Sequence, residues 1–332
     1  MKSFKLTMLA AMLLAMLTAC DALHKVTSSK VTSQGAPYEL VVVCNQMEWE
    51  SQLGDTLRTV LSAYIPYLNQ EEQTFSVLRI APNSYDGLIA KHRNILEVNI
   101  NPSIKEPSIA VRYDVAAAPQ VVLTLQAPSI VSATDYVSQH RESLVKGVQI
   151  AERDRAVDYA QTYNNQVISS TIKEKFGVSM KVPTGYTLRQ NSPDMLWISK
   201  EYPVASQGAI IYSYPAEFGI NSLSEENLVE ARNKFTAMVP GPSDGSYMTT
   251  YTEVPQLYKP IRIEGRLWVE MRGWWDVVND FMGGPYVSYS TIDQATGTVF
   301  TIDCYVYSPK YGKRNYLHDV ESLVYNAKFQ EQ

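Results

Sequence analysis

The apolar positions change their period several times along the chain. Residues 6–19 form an almost unbroken apolar run behind Lys2 and Lys5. A membrane-spanning helix needs about 20 such residues, so this run is too short to span and instead has the length and flanks of a secretory signal. Residues 21–37 are mostly small or polar (Thr27, Ser28, Ser29, Thr32, Ser33, Gln34, Gly35) and carry no period. That composition buries too little surface to offset its ordering entropy, which predicts a flexible tether over 20–37. From residue 38 strand and helix patterns alternate. Strands are predicted at 38–45, 75–81 and 94–99, and a helix that Asp55 can cap carries Leu57, Val60, Leu61, Tyr64 and Leu68, with Pro66 disturbing its end. Segments 110–115 and 120–126 read as a hairpin around 116–119. Such alternation predicts an N-terminal α/β layer sandwich over 38–176.

A long helical stretch follows. Ser132 and Asp135 open it, and Tyr136, His140, Leu144, Val148, Ala151, Tyr159, Tyr163 and Val167 recur at threes and fours up to Phe176, where Gly177 can stop it. A helix of that length either breaks near Gly147 or bridges two bodies. In 177–330 strand patterns dominate: 178–182, 186–189, 195–200, 209–214, 247–253, 261–276, 286–292 and 298–307. Between them Ser224 caps a helix with Leu228, Val229, Arg232, Phe235 and Met238, and a last helix carries Tyr316, Leu317, Val320, Leu323 and Val324. The fold class expected is α+β: a sandwich, a long connecting helix, then an antiparallel sheet flanked by helices. The order of elements in this second half resembles the PsbP/Mog1-like topology.

The apolar run ends in Leu17-Thr18-Ala19-Cys20. A basic start, an apolar core and Leu-small-small-Cys resemble a bacterial lipoprotein signal, which implies removal of 1–19 and lipid on Cys20. A thioether-linked diacylglycerol and an amide-linked acyl chain such as palmitate would hold the protein at a membrane, at roughly 0.8 kcal/mol per buried methylene. No dense acidic run follows Cys20. The anchor is therefore expected in the outer membrane, facing the periplasm.

The formal net charge is −5, and removal of Lys2 and Lys5 makes the processed chain more acidic. With no Lys/Arg-rich run, nucleic acid is not an expected partner. The 22 Tyr and 5 Trp suit strands and leave aromatic surface for a glycan or a protein partner. Cys44, in a continuous apolar run, and Cys304, beside Phe300, Ile302 and Val306, read as small buried hydrophobes. An envelope location permits a bond between them without requiring one.

Catalytic signatures are weak. Gly241-Pro242-Ser243-Asp244-Gly245 has the spacing of a nucleophile elbow, but the elbow needs a strand before the serine and a helix after it, and the predicted order is reversed. His24, His92, His140 and His318 are far apart and lack metal-ligand spacing, and no phosphate-loop motif occurs, so neither metal nor cofactor is expected. The candidate binding surface is in 266–276. There a period of two puts Leu267, Val269, Met271 and Trp275 on a core face, and Arg266, Trp268, Glu270, Arg272 and Trp274 on the other. That mixture of cation, aromatic and carboxylate suits a partner surface, with Met282-Gly283-Gly284-Pro285-Tyr286 as a loop beside it.

Several stretches resemble one family: Tyr38-Glu39-Leu40-Val41-Val42-Val43-Cys44, Trp49 with Gly54-Asp55-Thr56-Leu57-Arg58, His92-Arg93-Asn94-Ile95-Leu96, Phe176-Gly177-Val178 through Pro183-Thr184-Gly185-Tyr186, and Gly273-Trp274-Trp275. Together they look like the Bacteroidota lipoproteins grouped as domain of unknown function 4837, over nearly the whole processed chain. The resemblance implies a location and no reaction, and it carries no residue role across. The expected function is a membrane-anchored, non-enzymatic binding or assembly module for an envelope protein or glycan; the alternative is a hydrolase with a dispersed active site.

Overall fold

The computed structural model describes residues 30–329. The expected signal, Cys20 and the first part of the tether lie outside the described residues. The tether's last residues are docked, not free. Thr32 and Gln34 form bridges to Ala118 and His92, and Gln34 N–H donates to the Lys91 carbonyl at 2.9 Å.

Five strands build the first sheet: β1 (Glu39–Val43), β2 (Ser76–Ile80), β3 (Asn94–Ile100), β4 (Ser108–Tyr113) and β5 (Val121–Ala127). Their order is β2-β1-β3-β5-β4, parallel except for the β4–β5 hairpin. The continuous apolar run of β1 is buried on both faces. Leu40 and Val42 meet the helices, whereas Val41 and Val43 meet Ile95, Val122 and the loop residues Tyr85 and Ile89. The helices on the first face are α1 (Gln46–Trp49), α2 (Gln52–Leu61), α3 (Ile130–Gln139) and α4 (Arg141–Thr162). Ser51, not Asp55, caps α2, its hydroxyl accepting from Leu53 N–H; Asp55 lies in the first turn and pairs with Arg58. The helix stops at Leu61, ahead of Tyr64, Pro66 and Leu68.

The single long helix expected up to Phe176 is three: α3, α4 and α5 (Gln166–Phe176). The first break is at His140, whose ring stacks on Tyr136 at 4.0 Å and bonds the Tyr136 carbonyl, a local interaction that competes with the helical ladder. The second is at Asn165, whose side chain caps α5 by accepting from Ile168 N–H. Gly147 does not break α4. A side chain there would stand 3.1 Å from Leu123, so the glycine lets the helix lie close on the sheet. Gly177, at φ +67°, ends α5 in the left-handed conformation.

The second sheet has eight antiparallel strands: β7 (Thr187–Ser192), β8 (Met195–Glu201), β9 (Ser206–Pro215), β10 (Tyr247–Tyr251), β11 (Leu257–Ile263), β12 (Arg266–Val278), β13 (Gly283–Asp293) and β14 (Thr298–Tyr307). Their order is β10-β12-β13-β14-β9-β8-β7. Strand β12 divides its free edge, pairing β11 along 266–272 and β10 along 274–278. A small ribbon of β6 (Val178–Ser179) and β15 (Lys328–Phe329) lies apart. One face of the large sheet packs on α5 and α7 (Arg314–Glu321) through Ile168, Ile172, Leu317 and Val320. The other face packs on α6 (Glu225–Thr236) through Leu228 and Phe235. Helix α5 thus belongs to the core of the second body. Cys44 and Cys304 are buried free thiols in separate cores. Among the described residues no helix is long and apolar enough to cross a membrane.

Candidate functional site

The alternation along β12 is as the sequence implies, but its second face is at least half-buried. Trp268 is 2% exposed, wedged edge-on between Phe300 and Phe329. Arg266 lies over the Phe329 ring at 3.8 Å. Arg272 forms ion pairs with Glu270 on its own strand and Glu321 on α7. Trp274 donates its indole N–H to the Tyr67 carbonyl of the first body at 2.8 Å. Trp268 thus belongs to the core, while Arg266, Glu270, Arg272 and Trp274 are half-buried. The reason is layering: β12 lies inside a sheet packed on both faces, so either phase of its alternation meets another layer. Ser243 sits after a helix and before a strand, and its hydroxyl donates to Asp280. His318 lies elsewhere, at the seam.

Chemistry converges instead on α7 and the seam. No side chain of its own caps α7. Glu72 of the first body does so, its carboxylate accepting from Lys313 N–H at 2.6 Å and Arg314 N–H at 3.0 Å. Arg314 reaches back to the Gln73 carbonyl at 2.8 Å. One turn on, the His318 ring stacks on Tyr38 at 4.5 Å, and its Nδ1 lies 3.1 Å from Glu321. Nε2 of His318 is buried with no partner among the described residues. Tyr38 is held at φ +61°, a strained value for a bulky side chain, and its N–H donates to Glu152 at 3.2 Å. Burial, with Glu152 and Glu321 nearby, pushes the Tyr38 hydroxyl well above the usual tyrosine range.

Two buried carboxylates organise this seam. Glu152 of α4 accepts from Arg93 at 2.7 Å and Asn94 at 2.6 Å, with Arg155 at 3.2 Å. Glu321 accepts from Arg272 and from the Tyr289 hydroxyl at 2.5 Å. Burial alone would raise the Glu321 carboxyl. Arg272, His318 and Tyr289 more than offset that and hold it down at about 2.

Beside this network a cavity of about 420 Å³ opens between the bodies. Tyr159 on α4 lines one side; Lys200, Tyr202, Gln207, Tyr316 and Asp319 line the other. The orientation of the Gln207 amide follows from its partners. Its NH2 donates to the Tyr186 hydroxyl and the Asp319 carboxylate, both at 2.6 Å, so Oε1 is the atom left over. Gln207 is fully buried, and that Oε1 has no partner among the described residues. Lys200 holds its ammonium 5.2 Å from the Tyr202 ring centroid. Burial works against its charge, but the Tyr202 hydroxyl and Asp319 prevail and raise its pKa. The site therefore offers a fixed acceptor, a stabilised cation and tyrosine rings.

Sequence reasoning did not find this group, because its members are single positions on β8, β9, α4 and α7. One signal was present. Glu321 sits four residues after Leu317, on the apolar stripe of the last helix, and a carboxylate there must be paired.

Comparison with known proteins gives domains without functions. Residues 33–161 match a domain of unknown function, DUF8532, and residues 165–326 match another, DUF4837. The resemblance to the second family is therefore narrower than the sequence signatures imply, since those before residue 165 fall within the first match. No curated protein matches. Among solved structures, the human StarD13 (DLC2) lipid transfer and protein localization domain aligns over 48% of this chain and 95% of its own, at 11% identity and a TM-score of 0.22, too low to carry an argument. The two matched segments meet at the α4–α5 break, and the match over residues 165–326 supports for the second body a domain family of unknown function, DUF4837.

Proposed function

We propose that the protein is a binding module of the cell envelope, lipid-anchored through Cys20 in the outer membrane and facing the periplasm, and that its seam cleft takes part of an envelope glycan. One observation carries the reading: Tyr159, Tyr202 and Tyr316 line one cavity with Lys200 and with Gln207, whose buried Oε1 has no partner among the described residues. Sugars present C–H faces that pack on aromatic rings and hydroxyls that donate to a fixed acceptor. The cavity, about 420 Å³, has the size of small-ligand sites and suits a saccharide unit better than the broad face of an envelope protein.

A hydrolase is the second reading, favoured by His318. Its Nδ1 faces Glu321, its Nε2 is unpartnered, and it lines the cleft, as a base with an orienting carboxylate would.

Soluble fragments of envelope glycan, titrated into the full chain by calorimetry, test both readings. Binding is expected, weakened about tenfold or more by Tyr202→Ala and Lys200→Met. Fragments recovered intact support the binding module, fragments recovered cleaved support the hydrolase, and no heat with any fragment removes the glycan reading. For the anchor, Cys20→Ala is expected to move the protein to the soluble fraction of cells. Retention in membranes would count against lipidation.

A further inference from the structure

A second groove, of about 610 Å³, lies where α4 passes the β11–β12 turn and the β6–β15 ribbon. Four cations from separate elements line it: Arg153, Lys181, Arg262 and Lys328. Two carboxylates, Asp154 and Glu264, accompany them. Four positive charges against two negative ones leave the groove with an excess of two. Arg153 is held in place, its guanidinium lying 4.1 Å from the Tyr325 ring centroid.

An independent observation concerns Asn326, which is 6% exposed and lines the same groove. Its Oδ1 accepts from the Lys181 backbone N–H at 2.7 Å. That bond fixes the orientation of the amide, because an NH2 group cannot accept. Nδ2 is thereby a buried donor, and it has no partner among the described residues. An unmet buried donor beside surplus positive charge fits an anion that also accepts hydrogen bonds.

We propose that this groove binds a phosphate monoester group, with Asn326 Nδ2 as a fixed donor and Lys181, Arg262, Lys328 and Arg153 supplying the counter-charge. A monoester carries about −1.5 to −2 charges at neutral pH, which matches the excess, whereas a carboxylate would leave half of it unmet. The same group occurs on free phosphate, on sugar phosphates and on a phosphatidic acid headgroup. The site does not depend on the glycan reading of the seam cleft.

The test is calorimetry of the full chain with inorganic phosphate, glucose 1-phosphate and monomeric dihexanoyl phosphatidic acid. Acetate and dihexanoyl phosphatidylcholine serve as controls. Phosphate and glucose 1-phosphate are expected to bind if the source is soluble, and phosphatidic acid alone if it is a headgroup; either outcome supports the site. Asn326→Asp keeps an acceptor for Lys181 N–H but sets a carboxylate where the donor stood. Affinity is expected to fall about tenfold or more in it, and also when half-buried Lys181 and exposed Arg262 are replaced together, Lys181→Ala/Arg262→Ala. Absence of binding by all three phosphates, or equal affinity in both variants and the parent chain, would overturn the proposal.

Discussion

Two arginines, Arg232 and Arg272, lie against opposite faces of the same sheet and are neutralised in different ways. On the α6 face, Arg232 meets Asp303 at 2.7 Å, both side chains fully buried, with Thr250 as a further acceptor at 2.8 Å and the Tyr286 ring 3.6 Å from the guanidinium. That pair is closed. On the α7 face, Arg272 meets Glu270 and Glu321, and from Glu321 the contacts run on to His318, Tyr38 and Glu152 at the seam. That network is open. It reaches a cavity, and the unpartnered His318 Nε2 and Gln207 Oε1 lie beside it. The sealed pair lies within the second body, and the open network borders the seam cavity. What distinguishes the two is connection: Arg232 and Asp303 are fully buried and pair with each other, whereas the contacts of Arg272 run on to a cavity.

The largest expected effect breaks the sealed pair. Asp303→Ala leaves Arg232 buried and uncompensated, which should cost about 3–5 kcal/mol in denaturant unfolding. Glycan affinity of the folded fraction should stay unchanged, and a parallel loss of affinity would blur the distinction drawn here. Next comes acid. The Glu321 carboxyl is held below its ordinary value of 4.5, at about 2, so its contribution is complete above about pH 4.5 and is lost as the pH falls towards 2. Linkage puts that contribution at about 3 kcal/mol. Unfolding curves of the parent and Glu321→Gln chains should converge over this window, and a constant gap would remove Glu321 as the source. The smallest effect is Glu152→Gln, which keeps the shape but removes the charge facing Arg93 and Arg155. A loss of about 1–2 kcal/mol is expected, with faster hydrogen exchange in α4. Protection unchanged along α4 would mean that the seam does not depend on this carboxylate.

Much of the fold was legible because its signals are local. The apolar run of β1 announces burial on two sides, and the alternation of β12 announces a strand. Gly177 marks a helix end by its own conformational freedom. The site was illegible for the converse reason. Lys200, Gln207 and Tyr316 have no common spacing, and topology alone brings them together. The burial of Trp268 within the surface read from Arg266 to Trp274 has the same ground: alternation separates two faces of a strand but does not say whether a further layer lies over the second. The helix breaks at His140 and Asn165 were within reach, since both residues compete for backbone hydrogen bonds, but the apolar stripe running through them masked the interruption.

Glu72 is 241 residues before the N–H group of Lys313 that it satisfies. Helix α7, which carries His318, Asp319 and Glu321, therefore begins on a cap borrowed from the other body. Separated from its companion, the second body would keep the sequence of the pocket but lose the brace that sets its pitch. On the binding reading proposed above, recognition at the seam is conditional on assembly: a half-made or clipped polypeptide would stay silent, and only the joined pair would hold its ligand.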